Sequence, residues 1–476
     1  MASENISFGT IPASIRKPGK YFEFNTRLAV RTLPNNKQRL LIVGQRLAAG
    51  TVAEAVPTLV FSDAEAADYF GVGSIAHLMV RAAIKANPYL DLTVVGLDDA
   101  ATAIKALGSI TLTGPATGSG SIKFYVGHVK VEVGIAIAAT ATEIAALLNT
   151  ELAKYPDLPL TAAVDGVDPT KLVLTAQNGG LVGNQINLAA VISAAGVSSV
   201  IVAMDGGAVD PDLDDALTVV FAEQYHLIAT PYNDEDSLAL LVTYLDLVSG
   251  ALEQRPGVGV YATEGALADS VTLAGTINSG RICGPYLRGS RSLPFEIAAA
   301  MAAVMAFEED PAMPLNTLEL KGIHAPAISV RLSRTEQESL LYNGVTPLEV
   351  GPGERVQIVR AISTYIQDPQ GIDDIALLDI TTIRTLDFVR KACRERVALR
   401  FPREKLSSRT PKKVRTELLD VLLKLEQLEI VEEVAANAAG LICERDLQDP
   451  NRLNAKIPCD VVNGLHVFAG RIDLLL

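Results

Sequence analysis

Gly289-Ser-Arg-Ser-Leu-Pro-Phe-Glu-Ile-Ala-Ala-Ala-Met-Ala-Ala303 is the stretch on which the fold turns. A Gly-Ser turn leads into Pro294, whose fixed φ and missing N–H suit the first turn of a helix. Pro294–Phe307 is therefore predicted as an Ala-rich helix. Just upstream, Ile282–Leu287 and Gly257–Ala262 have the apolar runs of strands. Glu235–Leu252 is periodic as an amphipathic helix, with its acidic residues in the first turn where the helix dipole favours them. Tyr225–Thr230 precedes it as another strand. Alternating strands and helices predict an α/β layer.

The same alternation occurs near the N-terminus. Arg39-Leu-Leu-Ile-Val-Gly44 and Leu92-Thr-Val-Val-Gly96 are apolar runs of the kind buried in a parallel sheet. The helix predicted around Ile75–Ala86 is stopped by Asn87-Pro88. Between the two α/β stretches the pattern changes. Ser109–Thr113, Ser121–Val126 and Val129–Ile135 read as strands, with Gly127-His128 at a hairpin turn. A helix at Thr142–Lys154 shows one apolar face of Ile144, Leu147, Leu148 and Leu152, and further strands follow at Leu158–Val164, Lys171–Ala176 and Ile186–Val191. An α/β layer interrupted by a β-rich block implies one domain inserted into another.

Beyond Leu340, two strands flank Gly351-Pro-Gly-Glu354 and predict a hairpin. Helices at Thr381–Arg400 and Lys412–Val431 follow. Lys456–Val462 and Leu465–Leu474 are expected as strands around an Asn463-Gly464 turn. The expected organisation is an extended arm at 1–37, a discontinuous α/β domain at 38–108 and 208–345, and an inserted β-rich domain at 109–207. A C-terminal domain at 346–455 and a strand arm at 456–476 complete it.

With 476 residues the chain exceeds one ordinary core. It is 49% hydrophobic, has no Trp, and builds its apolar content from Ala, Leu and Val. The longest apolar stretches, such as Leu188–Val202, are broken by Ser and Gly and fall short of a membrane span. The N-terminus lacks the apolar core of a secretory signal. Cys283, Cys393, Cys443 and Cys459 are far apart with no CxxC pair, which suits reduced thiols. Net charge is −14, which disfavours nucleic acid as a partner. From Arg384 to Arg415, however, twelve Lys/Arg stand against three Asp/Glu, a local +9 that leaves −23 on the rest. Such a segment is commonly a solvated helix pair; it also suits a specific acidic partner.

The sequence offers little chemistry. Five histidines are scattered without an HExxH motif or a pair four residues apart, so no metal ligands are expected. No GxxxxGK[ST] is present, and Gly71-Val-Gly73 fits a plain turn, so no cofactor is expected. The Gly289–Ala303 segment resembles the one that carries the nucleophile in subtilisin-like proteases. Covalent catalysis needs a base beside the serine and a carboxylate to orient the base. Here the first strand ends Val43-Gly44-Gln45 without the Asp, no H-G-T-H motif exists, and His77 lies on a plain helix. The resemblance is to a fold and not to an active site, and no catalytic residue is expected.

Ser292-Leu-Pro-Phe-Glu-Ile-Ala-Ala-Ala-Met-Ala-Ala303, followed by Leu341-Tyr-Asn-Gly-Val345 through Ala361-Ile-Ser-Thr364, resembles the signature of contractile phage tail sheath proteins. Leu293-Pro-Phe-Glu-Ile-Ala-Ala-Ala300 and Asp310-Pro-Ala-Met-Pro-Leu-Asn-Thr-Leu318 are similar to the Mu-like branch. The resemblance implies a subtilisin-like α/β sheath core without catalytic residues, an inserted β-rich domain and an α+β C-terminal domain. It implies a structural subunit of stacked rings and a helical sheath around a tail tube protein, meeting baseplate and tail terminator proteins. Contraction would drive the tube through the host envelope, with no nucleic-acid contact and no membrane insertion. The subunit would assemble in the host cytoplasm and reside in the virion tail.

Two sets of residues follow from that resemblance. Tyr21, Phe22, Glu23 and Phe24, with Val461, Val462, Leu465, Val467 and Phe468, are the expected strand-exchange residues. Arg390, Arg394, Lys412 and Lys413 are the basic candidates for facing the tube. The sheath of a non-phage contractile apparatus, pyocin-like or of a secretion system, is the nearest alternative reading; a hydrolase of subtilisin-like fold is the remoter one.

Overall fold

The computed structural model describes residues 17–22 and 36–475. Residues 36–388 and 459–475 fall in one compact unit, and Val389–Pro458 in another. The large unit opens with β1 (Arg39–Gln45), β2 (Thr58–Leu59), α1 (Asp63–Phe70), α2 (Ile75–Ala86) and β3 (Asp91–Leu97). An inserted block then carries β4 (Leu107–Thr113), β5 (Gly120–Val126), β6 (Val129–Ile135) and α3 (Ala141–Leu152). It ends with β7 (Leu160–Val164), β8 (Lys171–Ala176), β9 (Leu188–Ile192) and β10 (Ser198–Asp205). The α/β path resumes with α4 (Leu213–Val219), β11 (Leu227–Ala229), α5 (Glu235–Ser249), β12 (Val258–Val260) and α6 (Leu267–Ile277). After β13 (Ile282–Cys283) and β14 (Pro285–Tyr286) come α7 (Pro294–Phe307), α8 (Arg334–Tyr342), β15 (Thr346–Gly351) and β16 (Arg355–Ile358).

The main sheet has the order β13-β12-β11-β1-β3-β2. All neighbours are parallel except β2, which pairs antiparallel with β3. A parallel sheet covered on both faces requires apolar residues on both sides of each strand. Leu40, Leu41, Ile42 and Val43 meet that condition and are fully buried. Each such side chain contributes roughly 1.5–3 kcal/mol on leaving water. α7 has no polar stripe: every residue from Pro294 to Ala306 is buried. It packs against α2 and over β1, β11 and β12, so the Ala-rich run lets helix and sheet approach closely.

The inserted block has a core of its own. Ile110, Phe124, Val131, Leu148, Leu172 and Leu174 are fully buried together between the β10-β4-β8-β7 and β6-β5-β9 sheets and α3. Thr140 and Glu143 close a capping box that fixes where α3 starts.

Two expectations need correction. The large unit does not end near residue 345. β15 pairs with β14 through Pro285↔Thr346, and Leu348, Val356, Ile358 and Ile380 join the main core. The hairpin buries its apolar face in the main core, so the large unit runs on to Phe388. The second correction concerns the tail. Residues 462–475 form no strand, and no hairpin closes around Asn463-Gly464. Leu465, Val467 and Phe468 are exposed, and an isolated two-stranded hairpin with neither face covered is marginal in water.

The insert joins the body at the C-terminal ends of β1 and β3. Asp99 accepts from Gly179 N at 2.7 Å, from Gln45 Nε2 at 2.7 Å and from Asn178 Nδ2 at 3.0 Å. Asp210 accepts from Leu181 N at 2.7 Å. Burial raises the Asp210 carboxyl to about 6, against the pull of its backbone N–H partners. A carboxyl whose folded pKa lies above its unfolded value favours the folded state at low pH, and that contribution is lost as pH rises through about 6. Asp210→Asn keeps the acceptor and removes the charge. It should stabilise the protein at pH 7.5 by about 1 kcal/mol after allowing for solvent screening. Calorimetry should show the variant melting higher than the parent at pH 7.5, with the gap closing at pH 4.5. A variant less stable at pH 7.5 would contradict this account.

Candidate functional site

A catalytic reading is tested first, at the helix that suggested it. Ser292 is buried, and its Oγ accepts from His324 N at 2.9 Å and lies 3.4 Å from His324 Nδ1. Glu296 pairs not with His324 but with His128, across 3.4 Å. Ser290 is also buried, and its Oγ donates to His324 O. The serine hydroxyls thus hold a loop onto the start of α7. His77 is similarly occupied: Nδ1 accepts from Gly73 N at 3.0 Å, and Nε2 faces Asp63 Oδ1 at 3.1 Å. Burial lowers its pKa against the attraction of Asp63. This contact ties α1 to the start of α2. Among the described residues no group of three or more His, Cys, Asp or Glu is placed to hold a metal ion. No helix among them is long and apolar enough to cross a membrane.

Surfaces are more informative. The small unit contains most of α9 (Ile380–Arg400), then α10 (Thr410–Gln427), β17 (Ile442–Arg445) and β18 (Leu453–Lys456). Much of the positive charge counted in the sequence is committed internally. Arg396 is only 4% exposed and pairs with Asp420 at 2.8 Å and Glu417 at 3.2 Å. Arg415 donates to Leu441 O and Ala438 O, both at 2.7 Å. In the large unit, Arg384 is buried and donates to Glu308 O; burial brings its pKa down to about 10. Of the four tube candidates, Arg394, Lys412 and Lys413 are exposed and Arg390 is half-buried. Arg390 and Arg394 are one turn apart on α9, hence on one face. Lys412 and Lys413 are adjacent in the first turn of α10, and Lys413 pairs with Glu404 at 2.8 Å.

Among the described residues β17 and β18 pair only with each other, through Ile442↔Lys456 to Arg445↔Leu453. No other described strand pairs with either outer edge, whose backbone N–H and C=O groups are suited to a further strand. The sequence reading missed this hairpin, although Asp446 through Asn451 is rich in turn formers. Asp446 locks the turn by accepting from Asp449 N, Asn454 Nδ2 and Gln448 N, and these bonds hold its carboxyl down to about 2.

The arm residues are placed in part. Tyr21 and Phe22 lie outside regular structure, Phe22 being 89% exposed, while Glu23 and Phe24 fall outside the described residues. Val461 and Val462 are half-buried, and Val461 makes an isolated bridge. His466 pins the tail to the large unit: its Nδ1 accepts from Asn316 Nδ2 at 2.9 Å, and Nε2 lies 3.5 Å from Asp379. Beyond that anchor Val467, Phe468, Ile472 and Leu474 project from an unpaired backbone, all exposed. Exposed apolar side chains on a segment without regular structure suit burial in another molecule.

Among the described residues no catalytic site is organised, and the features that stand out are a two-stranded hairpin edge and an exposed apolar tail. Family comparison gives the class. The phage tail sheath protein central domain matches residues 206–364, and the phage tail sheath C-terminal domain matches residues 373–474. The chain belongs to the phage tail sheath family, and it is a structural subunit of a contractile sheath, not an enzyme.

Among particular proteins, it is 32% identical over 490 residues to the Mu-like prophage FluMu tail sheath protein of Haemophilus influenzae, covering 99% of this chain and 100% of that one. Its fold is similar to that of the sheath tail protein of Listeria innocua, at 14% identity and a TM-score of 0.51, over 91% of this chain and 94% of that one. It is also similar to a chain in the anti-feeding prophage baseplate structure, at 12% identity and a TM-score of 0.52, over 97% of this chain and all of that one.

The division of the basic residues is testable. Arg396→Ala leaves Asp420 and Glu417 without their buried partner and should cost about 3 kcal/mol. Lys412→Ala, at an exposed position, should stay within about 0.5 kcal/mol of the parent. Urea unfolding followed by hydrogen exchange in α10 will distinguish them. Equal effects of the two substitutions would overturn the assignment.

Proposed function

We propose that the subunit polymerises into stacked rings around a tail tube, and that its termini join neighbouring copies by strand addition. The observation that carries this is the tail beyond His466, whose exposed Val467, Phe468, Ile472 and Leu474 lie on unpaired backbone. The open edges of β17 and β18 are acceptors of matching chemistry. Strand addition supplies main-chain hydrogen bonds that survive rotation of the globular parts, so neighbours stay tied while the lattice rearranges. Tyr21, Phe22, Glu23 and Phe24 form the corresponding donor at the other end. The domain scheme consistent with this has arms at 1–37 and 456–476. Contraction is then a rigid-body change from a metastable lattice to a tighter one, drawing on energy stored at assembly. It drives the tube through the host envelope. Assembly takes place in the host cytoplasm, on a baseplate and up to a tail terminator. The similarity to the FluMu sheath favours a Mu-like phage or prophage over other contractile particles.

Deleting residues 1–24, or separately 460–476, should leave a folded subunit that no longer forms sheath. Circular dichroism checks the fold and negative-stain microscopy the assembly. Normal long sheaths from either truncation would remove that arm from the scheme.

Arg390, Arg394, Lys412 and Lys413 would face an acidic tube. Each exposed contact is worth only about 0.2–1 kcal/mol, but a ring repeats it many times. Replacing all four with Glu should abolish templating of extended sheath on tubes while self-assembly persists. Higher salt should weaken the parent's tube attachment in the same direction. Undiminished templating by the variant would return these residues to an ordinary solvated surface.

A further inference from the structure

The loop from β8 to β9 in the insert reaches the carboxyl ends of β1, β3 and β11. Asn178 Nδ2 and Gly179 N donate to Asp99, Leu181 N donates to Asp210, and Gln185 Nε2 donates to Asn233 Oδ1 at 2.9 Å. Next to Asn233, Asp234 caps α5, its Oδ1 accepting from Ser237 N at 2.9 Å. One loop thus touches the segments that bear three aspartates. The strand order reverses at this place: the chain passes from β1 to β3 on one side and returns to β11 on the other. In open α/β sheets the crevice beyond the strand ends at such a reversal is where ligands bind.

Charge does not balance there. The groups that donate to Asp99, Asp210 and Asp234 are neutral amides. No Lys or Arg occurs between Lys171 and Arg255, a stretch that holds 11 Asp or Glu. Arg46, next to Gln45, is taken by Asp98 at 2.6 Å.

Hydrogen bonding does not balance either. Gln45 Oε1, Gln185 Oε1, Tyr232 OH and Asp234 Oδ2 are buried and unpartnered among the described residues, and Gln45 and Tyr232 are wholly inaccessible. Both amides are fixed in orientation. Gln45 Nε2 donates to Asp99 Oδ1 at 2.7 Å and to Gly179 O at 2.6 Å, which leaves Oε1 bare beside Asp99. Asn233 Nδ2 donates to Ala262 O, so its Oδ1 takes Gln185 Nε2 and leaves Gln185 Oε1 bare. Burial, then Asp210, Asp99 and Asp234, raise the Tyr232 phenol well above its ordinary pKa, so the ring lies in the field of all three carboxylates. Unpaired buried acceptors are costly. Water would pair them without offsetting the charge.

We propose that this junction binds one hard divalent cation of the calcium class, which ties the inserted domain to the body. Such a cation accepts carboxylates, amide oxygens and water in flexible geometry. No three carboxylates here are placed to hold one ion directly, so two are direct ligands. Asp99 already accepts three hydrogen bonds and acts through water. Asp234 has its bare Oδ2. Burial, and after it the charge of Asp234, raises the Asp210 carboxyl to about 6 against its Leu181 N–H bond, so Asp210 and Asp234 are the close pair. These two are the charged ligands, with the bare glutamine oxygens and water completing the shell.

The test uses the full, unassembled chain stripped with EDTA. Titration calorimetry with calcium chloride at pH 7.5 should show one site per chain, and the melting temperature should rise with calcium concentration. Asp210→Asn/Asp234→Asn keeps both acceptors, the α5 cap included, and should weaken calcium binding roughly tenfold or more. Asp214→Asn/Asp215→Asn removes the same charge from exposed positions on α4 and should leave binding unchanged. Without calcium, Asp210→Asn melts above the parent; with calcium that order reverses. Because the chain has no Trp, terbium bound at the site is sensitised through tyrosine. Its emission should be displaced by calcium and lost in Tyr232→Phe. A parent with neither calcium heat nor a melting shift overturns the proposal and leaves water as the occupant. Binding that survives in Asp210→Asn/Asp234→Asn, or falls equally in Asp214→Asn/Asp215→Asn, overturns it as well. So does terbium emission that Tyr232→Phe leaves unchanged.

Discussion

The structure depends on burying α7 on every side. A helix with no polar stripe has no stable place at a surface, and Pro294–Ala306 is wholly sequestered. Its small residues let α2 lie close on one side and the β1, β11 and β12 strands on the other. Its N-terminus is then forced to be internal as well, where exposed helix N–H groups need partners. Glu296 supplies one by accepting from Leu293 N, and that carboxylate in turn requires a partner of its own, His128. Serine residues at the same turn serve the loop that bears His324. A constellation that looks like hydrolase chemistry in the sequence is thereby consumed by packing.

That consumption is why the proposed function is sought at the periphery. A core made of aliphatic side chains closed over a parallel sheet gives a rigid body. Nothing in such a body stores or releases energy alone. Two-state behaviour has to come from how copies are joined, and the groups left for joining are edges and tails. On the proposed reading, the edges of β17 and β18 that no other described strand pairs, the apolar residues beyond His466 and the exposed Lys412 would belong to this class. Individually they are weak. Repetition in a helical lattice gives them weight.

The legibility of the sequence follows the same division. Elements whose pattern is set by burial within one chain were readable: the Leu40–Val43 run, the Pro-led α7, and the α3 face bearing Ile144 and Leu148. Position 345 misled because the turn formers around Gly351 look like a boundary, whereas the hairpin's apolar face belongs to the main core. The tail misled for a different reason. Its alternation of Leu465 and Val467 is a strand signal, but a single copy offers no strand to pair with and no surface to cover it. The β17–β18 hairpin was missed because its strands are short and half polar. Charge counting along Arg384–Arg415 overstated the free positive surface, since linear sequence does not show that Arg396 and Arg415 turn inward.

The central claim is that this chain is a self-assembling structural subunit whose open edges are satisfied only by other copies. Negative-stain microscopy of the purified full-length protein, across a range of concentrations, tests that claim most directly. The account predicts stacked rings or long hollow tubes that lengthen with concentration. Particles that stay the size of single subunits at every concentration would contradict it.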